Sequence, residues 1–226
     1  MHKLTIIKIF TLSSLLVPYF WVAAAAPSNL TRILTTPYSD GAWSRGVHGI
    51  TMATSLKTIP LTPKKTNFDN EILNDENNFI WQTVELTKGL FWPLDVHASY
   101  SYNNQTKLLK WHGMLQYSFF QKAYYPTLAI RTSSTSLKNK NNNIASSNNL
   151  SVAFSWGYRS LNIFGSAFKY IVTSDQKYRN EKIDSIGSSE IFGFQYNLNP
   201  FSKISISKTW EKGDNVANEL KFSVGL

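Results

Sequence analysis

The sequence predicts an all-β chain closed as a transmembrane antiparallel up-and-down β-barrel of about ten strands, with eight or twelve also fitting. Three observations predict it. Apolar and polar residues alternate with period two in segment after segment, which gives strands with one apolar face and one polar or small face. Only 16% of the 226 residues are charged while 14% are aromatic, a balance foreign to most soluble domains and natural to a barrel with aromatic girdles. Mean hydropathy is -0.22, too low for a helical membrane protein, whereas a barrel needs only alternate residues to face lipid.

The chain opens with Lys3 and Lys8, continues into an apolar stretch over Leu15–Ala26 and ends that stretch on four alanines before Pro27. A charged start, an apolar middle and a small-residue exit predict a secretory leader over 1–25, cut after Ala24 or Ala25. Residues 26–41 have no clear period and read as a periplasmic lead-in or as a segment tucked into the barrel. The barrel itself is expected over 42–226.

The first strand starts at Ile50, Met52, Thr54 and Leu56, and the polar stretch Lys57–Asn77 reads as a long loop. Ile80, Val84 and Leu86 alternate with Trp81, Thr83, Glu85 and Thr87 in the second. A turn at Lys88–Pro93 leads to Val96, Ala98, Tyr100 and Tyr102, and a hairpin connection at Asn103–Thr106 leads to Trp111, Gly113, Leu115, Tyr117 and Phe119. Leu128, Ile130 and Thr132 mark the fifth strand. The Asn-, Lys- and Ser-rich run Lys138–Asn148 reads as a loop. Leu150, Val152, Phe154, Trp156 and Tyr158 form the sixth strand, and Phe164, Ser166, Phe168, Tyr170 and Val172 the seventh, with the aromatics taken as the lipid face. Ser174–Asp184 reads as a loop. Phe192, Phe194, Tyr196 and Leu198, then Ile204, Ile206 and Trp210, define two more strands. Long polar connections after strands one, five and seven, with short ones after two, four, six and eight, sort loops to one end and turns to the other.

The final strand, Glu219–Leu226, sets Leu220, Phe222, Val224 and Leu226 against Glu219, Lys221, Ser223 and Gly225. This resembles the C-terminal recognition strand of bacterial outer-membrane β-barrels, which usually closes on an aromatic residue where this chain has Leu226. The resemblance implies residence in the cell outer membrane, contact with its lipid, and delivery to the barrel-assembly machinery through that strand.

With the apolar faces outward, the charges on the other face are Glu85, Asp95, Lys110, Arg131, Arg159, Lys169, Lys203, Glu219 and Lys221. Inside a narrow barrel they must pair or stay hydrated. One reading is a filled core in which Arg131 and lysines bridge Glu85, Asp95 and Glu219. The other is a thin, anion-favouring water path. Trp92, Trp111, Trp156 and Trp210, with Trp81, read as interface anchors.

A hairpin centred near Asn104-Gln105 sets His97 opposite His112 and Ser99 opposite Lys110 on the inner face. Asp95, His97 and Ser99 compose a hydrolase alternative, and His97-Ala98-Ser99 is similar to the His-x-Ser of outer-membrane phospholipases. That pair faces lipid in the family, whereas His97 reads inward, so a polar interior hairpin is the expectation and no catalytic residue is assigned. No metal or cofactor is expected. With no cysteine in the chain, disulfides, iron–sulfur clusters and thiol chemistry are excluded. The net charge of +9 is dispersed rather than gathered into a stripe, which sets nucleic acid aside. The functional expectation is a non-enzymatic structural or surface-interaction protein whose extracellular loops meet a partner. The alternative is a narrow channel or transporter for a small solute or lipid.

Overall fold

Ten strands pair in sequence order, and the first pairs with the last, so the sheet has no free edge. In chain order they are β1 (Ile50–Pro60), β2 (Asn78–Phe91), β3 (Leu94–Tyr102), β4 (Leu108–Phe119) and β5 (Thr127–Asn139), then β6 (Asn142–Tyr158), β7 (Leu161–Ser174), β8 (Ile186–Asn197), β9 (Ser202–Glu211) and β10 (Asp214–Gly225). Every neighbouring pair is antiparallel. Among the described residues one helix, α1 (Asn29–Thr35), precedes the barrel. The computed structural model describes residues 28–35, 39–45, 49–62, 68, 72–73, 77–91, 93–119, 121, 125–139, 142–158, 160–174, 186–211 and 214–225. The leader, His48, Trp92, Arg159, Leu226 and nearly all of Ser174–Asp184 lie outside the described residues.

The alternation seen in the sequence becomes the two faces of the wall. Met52, Leu56, Val84, Leu86, Leu115, Ile130, Leu150, Val152, Phe194, Ile206, Leu220 and Phe222 are exposed on the outside. A band of large apolar side chains around a closed sheet is what a hydrocarbon solvent requires and what water would penalise. Trp111 and Trp156 are exposed on the same outer surface, Trp156 close to the β6–β7 turn and Trp111 close to the opposite end of β4. The class is therefore a transmembrane β-barrel of the kind found in bacterial outer membranes.

The two ends differ. At one end, here the turn end, lie Ile50, Gly225 and the brief β2–β3, β4–β5, β6–β7 and β8–β9 connections. The other, the loop end, carries the long β1–β2 and β7–β8 connections.

Five expectations are corrected. First, β1 runs on to Pro60, so Lys57 belongs to the wall rather than to a loop, and its ladder with β2 continues to Asn78. Second, Lys138–Asn148 is not a loop, because Asn139 pairs with Asn142 and the β5–β6 ladder runs through this run. A bulge there turns Ile144 inward, where it is buried. Low complexity misled because a ladder is made by backbone groups, and small polar side chains fit its inner face. Third, β7 is turned over: Phe164, Phe168, Tyr170 and Val172 are buried inside, and Ile171 and Lys169 stand on the outer face. Lys169 lies toward the loop end, where a lysine can carry its charge past the apolar belt to water. Fourth, Trp81 is fully buried in the lumen. Fifth, the β3–β4 register is two residues from the expected one, setting Ser99 opposite His112, His97 opposite Met114 and Ser101 opposite Lys110.

Candidate functional site: the occupied lumen

The lumen holds the chain's own N-terminal segment. Of the two places the sequence allowed for the stretch before the barrel, residues 29–35 and 39–42 are buried inside. Ser28 caps α1 by accepting the Thr31 N–H at 3.2 Å. Leu30, Ile33 and Leu34, at helical spacing, join Ile59, Phe79, Leu108, Leu137, Ile144, Phe164, Phe168, Tyr170 and Val172 of the wall in one buried apolar cluster. This explains the inverted face of β7: its aromatics pack on the helix instead of on lipid. Phe68, Ile72 and Leu73 of the β1–β2 connection belong to the same cluster. The exposed last carbonyls of a short helix need partners, and Ile33 O accepts from Trp81 Nε1 at 3.3 Å and Lys110 Nζ at 3.5 Å. The Lys110 ammonium also lies over the Trp81 ring, 4.9 Å from its centroid.

Beyond α1 the chain is extended, and wall side chains hold its backbone. Arg131 donates to the carbonyls of Asp40 (2.8 Å) and Gly41 (2.7 Å), and its Nε to Gln116 Oε1 at 2.7 Å. Ala42 N–H donates to Ser155 Oγ at 3.0 Å, and Ala42 O accepts from Ser118 Oγ at 2.6 Å. Ala129 and Ala153, direct cross-strand partners, leave the room that Ala42 fills. Gln121 and the Ser44 backbone exchange two hydrogen bonds.

The charges pair across this contact. Asp40 meets Arg45 at 2.6 Å, Lys203 at 3.1 Å and Lys221 at 4.0 Å. Asp95 accepts from Ser44 Oγ at 2.9 Å and the Arg45 N–H at 3.0 Å, and the Arg45 guanidinium lies 3.6 Å away. Glu85 pairs with Lys221 at 2.5 Å, and Glu219 with Lys57 at 3.0 Å and Ser39 Oγ at 2.5 Å. Nearer the loop end the Tyr170 hydroxyl donates to Glu211. Of the charges placed inside from sequence, Glu85, Asp95, Lys110, Arg131, Lys203, Glu219 and Lys221 face the lumen, Lys169 does not, and Arg159 is not described. Sequence reading missed Asp40, Arg45, Lys57 and Glu211. Lys57 was legible as the odd-numbered continuation of β1, but nothing in the sequence announces that Asp40 and Arg45 enter the barrel.

His97 and His112 meet diagonally across β3–β4, with ring centroids 5.6 Å apart. Each Nδ1 is held by the threonine opposite it on the next strand, Thr87 at 3.0 Å and Thr135 at 2.9 Å. Among the described residues no three metal-ligating side chains converge. Asp95 is turned to the N-terminal segment and the His97 ring to Thr87, so the hydrolase triplet is divided between two structural tasks. At the turn end a cavity of about 220 Å³ is lined by Asp40, Trp43, Arg45, Asn162, Gln195 and Lys203, among others.

No protein-family model matches the chain, and no curated protein matches it. Its similarities are to solved membrane barrels. A KdgM porin in complex with disordered oligogalacturonate aligns with TM-score 0.47 and 9% identity, over 78% of this chain and 96% of that one. A NanC porin aligns with TM-score 0.38 and 10% identity, over 78% and 97%. A de novo designed transmembrane β-barrel aligns with TM-score 0.36 and 8% identity, over 84% and 100%.

Proposed function

We propose that this chain is a non-enzymatic outer-membrane barrel, closed to solutes by its own N-terminal segment, that acts as a rigid scaffold presenting its loop-end connections to an extracellular partner. The observation that carries the reading is the filled lumen: α1 occupies the loop half and residues 39–45 the turn half. A barrel built for flow would leave that space to water. Planar-bilayer recording of the folded chain tests it, with no unitary conductance expected. A steady conductance from the intact chain would overturn it. Deletion of the loop-end connection Lys57–Asn77 beyond Pro60 is then expected to abolish binding of the surface partner.

A second reading is favoured by the lumen's chemistry. The segment's turn half is held by polar contacts and ion pairs, and the wall left without it carries Lys57, Lys110, Arg131, Lys203 and Lys221 against Glu85, Asp95, Glu211 and Glu219. Withdrawal of the segment would open a narrow, mildly basic path for small anions. Anion-selective conductance that appears only when residues 28–45 are deleted supports this reading over a purely structural one.

A further inference from the structure

We propose that the N-terminal segment is threaded through the barrel with its upstream end at the loop face, a position it reaches only after the leader has been cut away. The proposal rests on the outer-membrane reading above, with loops outside and turns on the periplasmic side. The direction of the thread is fixed by contacts at its two ends. Asn29 exchanges three hydrogen bonds with Thr62 (2.8 Å to its N–H, 3.0 Å to its hydroxyl, 3.0 Å to its carbonyl), and Arg32 reaches Pro60 O at 3.4 Å. Both partners lie at the loop end of β1. Sixteen residues later Arg45 is bonded to Asp95, just after the β2–β3 turn, and to Thr51 at the start of β1. Gly49 O accepts from Gly89 N–H at 2.9 Å at that same end. The chain therefore descends the lumen from loop face to turn face, reverses, and climbs again as β1.

A secretory leader is held at the inner membrane, on the turn side. A chain still joined to it upstream of Ser28 would need that upstream end on the turn side, while the hydrogen bonds to Pro60 and Thr62 hold it on the loop side. Both cannot be satisfied at once. The cut frees the end, and only a free end can lie where Asn29 lies. Closure of the lumen is thus a late step of assembly, gated by processing.

The absence of cysteine from the sequence makes single-cysteine labelling direct. Ser28→Cys, Asn104→Cys at the exposed β3–β4 connection and Ser160→Cys at the exposed β6–β7 turn would each be treated on whole cells with a membrane-impermeant maleimide. Ser28→Cys is expected to label in intact cells together with Asn104→Cys, while Ser160→Cys labels only after the outer membrane is permeabilised. Ser28→Cys grouping with Ser160→Cys would overturn the threading. If Asn104→Cys and Ser160→Cys exchange behaviour, the orientation reading fails, and the thread is still judged by which of them Ser28→Cys follows. Should Ser28→Cys be shielded throughout, the pair Asn29→Cys with Thr62→Cys decides. Copper-phenanthroline oxidation is expected to join the two thiols, and a full thiol count afterwards would overturn the proposal. In chains whose Ala24 and Ala25 are replaced to block the cut, Ser28→Cys is expected to lose its labelling from outside. Unchanged labelling there would sever closure from processing.

Discussion

At the scale of single residues, the lumen is governed by pairs whose members come from distant parts of the chain. Lys221 is the densest case: it is 2% exposed, pairs with Glu85, approaches Asp40 and donates to Ser39 O at 3.3 Å. Removing one member of a buried pair leaves the other charged, desolvated and alone. Lys221→Ala is therefore expected to cost ~3–5 kcal/mol, read as a lower denaturant midpoint in micelles. Lys221→Met combined with Glu85→Leu is expected to recover much of that loss, and equal losses in the two variants would refute the pairing. Glycines give a second contrast. A Cβ at Gly193 would overlap the Phe164 ring and the Ile206 carbonyl, whereas at Gly113 it meets open space. Phe164 lies over Gly193, its cross-strand partner, in the same way as Tyr170 lies over Gly187. Gly193→Ala is expected to destabilise by ~1–3 kcal/mol through overpacking and Gly113→Ala to be nearly neutral. Thermal unfolding of the two variants side by side checks this.

At the scale of elements, what was legible followed from one-dimensional periodicity. The faces of β2 from Gln82 on, β6 from Leu150 on and β10 from Glu219 on could be read because apolar residues on one parity and small or polar ones on the other leave a single choice of face. β7 could not, because Phe164, Phe168, Tyr170 and Val172 look like a lipid face unless something apolar is known to fill the barrel. That something is α1, a seven-residue helix too short to stand alone in water and too short for its pattern to be distinctive. The β3–β4 register was missed for a related reason: a shift of two keeps every residue on its face, so alternation cannot detect it. The helix is held by burial, and that makes it testable. Ile33 is completely buried, and Ile33→Asp sets a carboxylate in the apolar cluster to which Leu108, Leu137, Phe168 and Val172 also belong. The energy of desolvating that charge exceeds what a short helix gains by docking, so α1 should leave the lumen while the closed wall remains. Conductance is expected to appear in Ile33→Asp and stay absent in Ile33→Val, with the strand signal in circular dichroism unchanged in both. A silent Ile33→Asp barrel with intact strands would mean the turn-half contacts alone close the lumen.

At the scale of the whole molecule, two solvents meet the same sheet. Inside, the wall packs on protein as a soluble core does, with the apolar cluster around α1 in the loop half and most ion pairs from mid-barrel to the turn end. Outside, Met52, Val84, Leu150, Phe194, Ile206 and Leu220 belong to a set of thirty large apolar side chains left exposed among the described residues, a surface that a soluble monomer avoids. Closure pairs β1 with β10 from Thr51↔Gly225 to Thr58↔Asn218, so the last strand, whose alternation is legible in the sequence, joins the first and leaves the sheet without an edge. In water, each outward residue would be hydrated at a cost, and the exposed belt would drive association before closure. In micelles or lipid the same residues are solvated and the ladder can close. The mature chain is therefore expected to fold only when detergent or lipid is present and, once folded, to migrate differently on a gel before and after boiling. Truncating the chain before Glu219 removes most of the β1–β10 ladder and should abolish that shift. A monomer that folds in buffer alone, with no difference between boiled and unboiled samples, would require the apolar face to lie inside. The ion pairs assigned to the lumen would then have to face water.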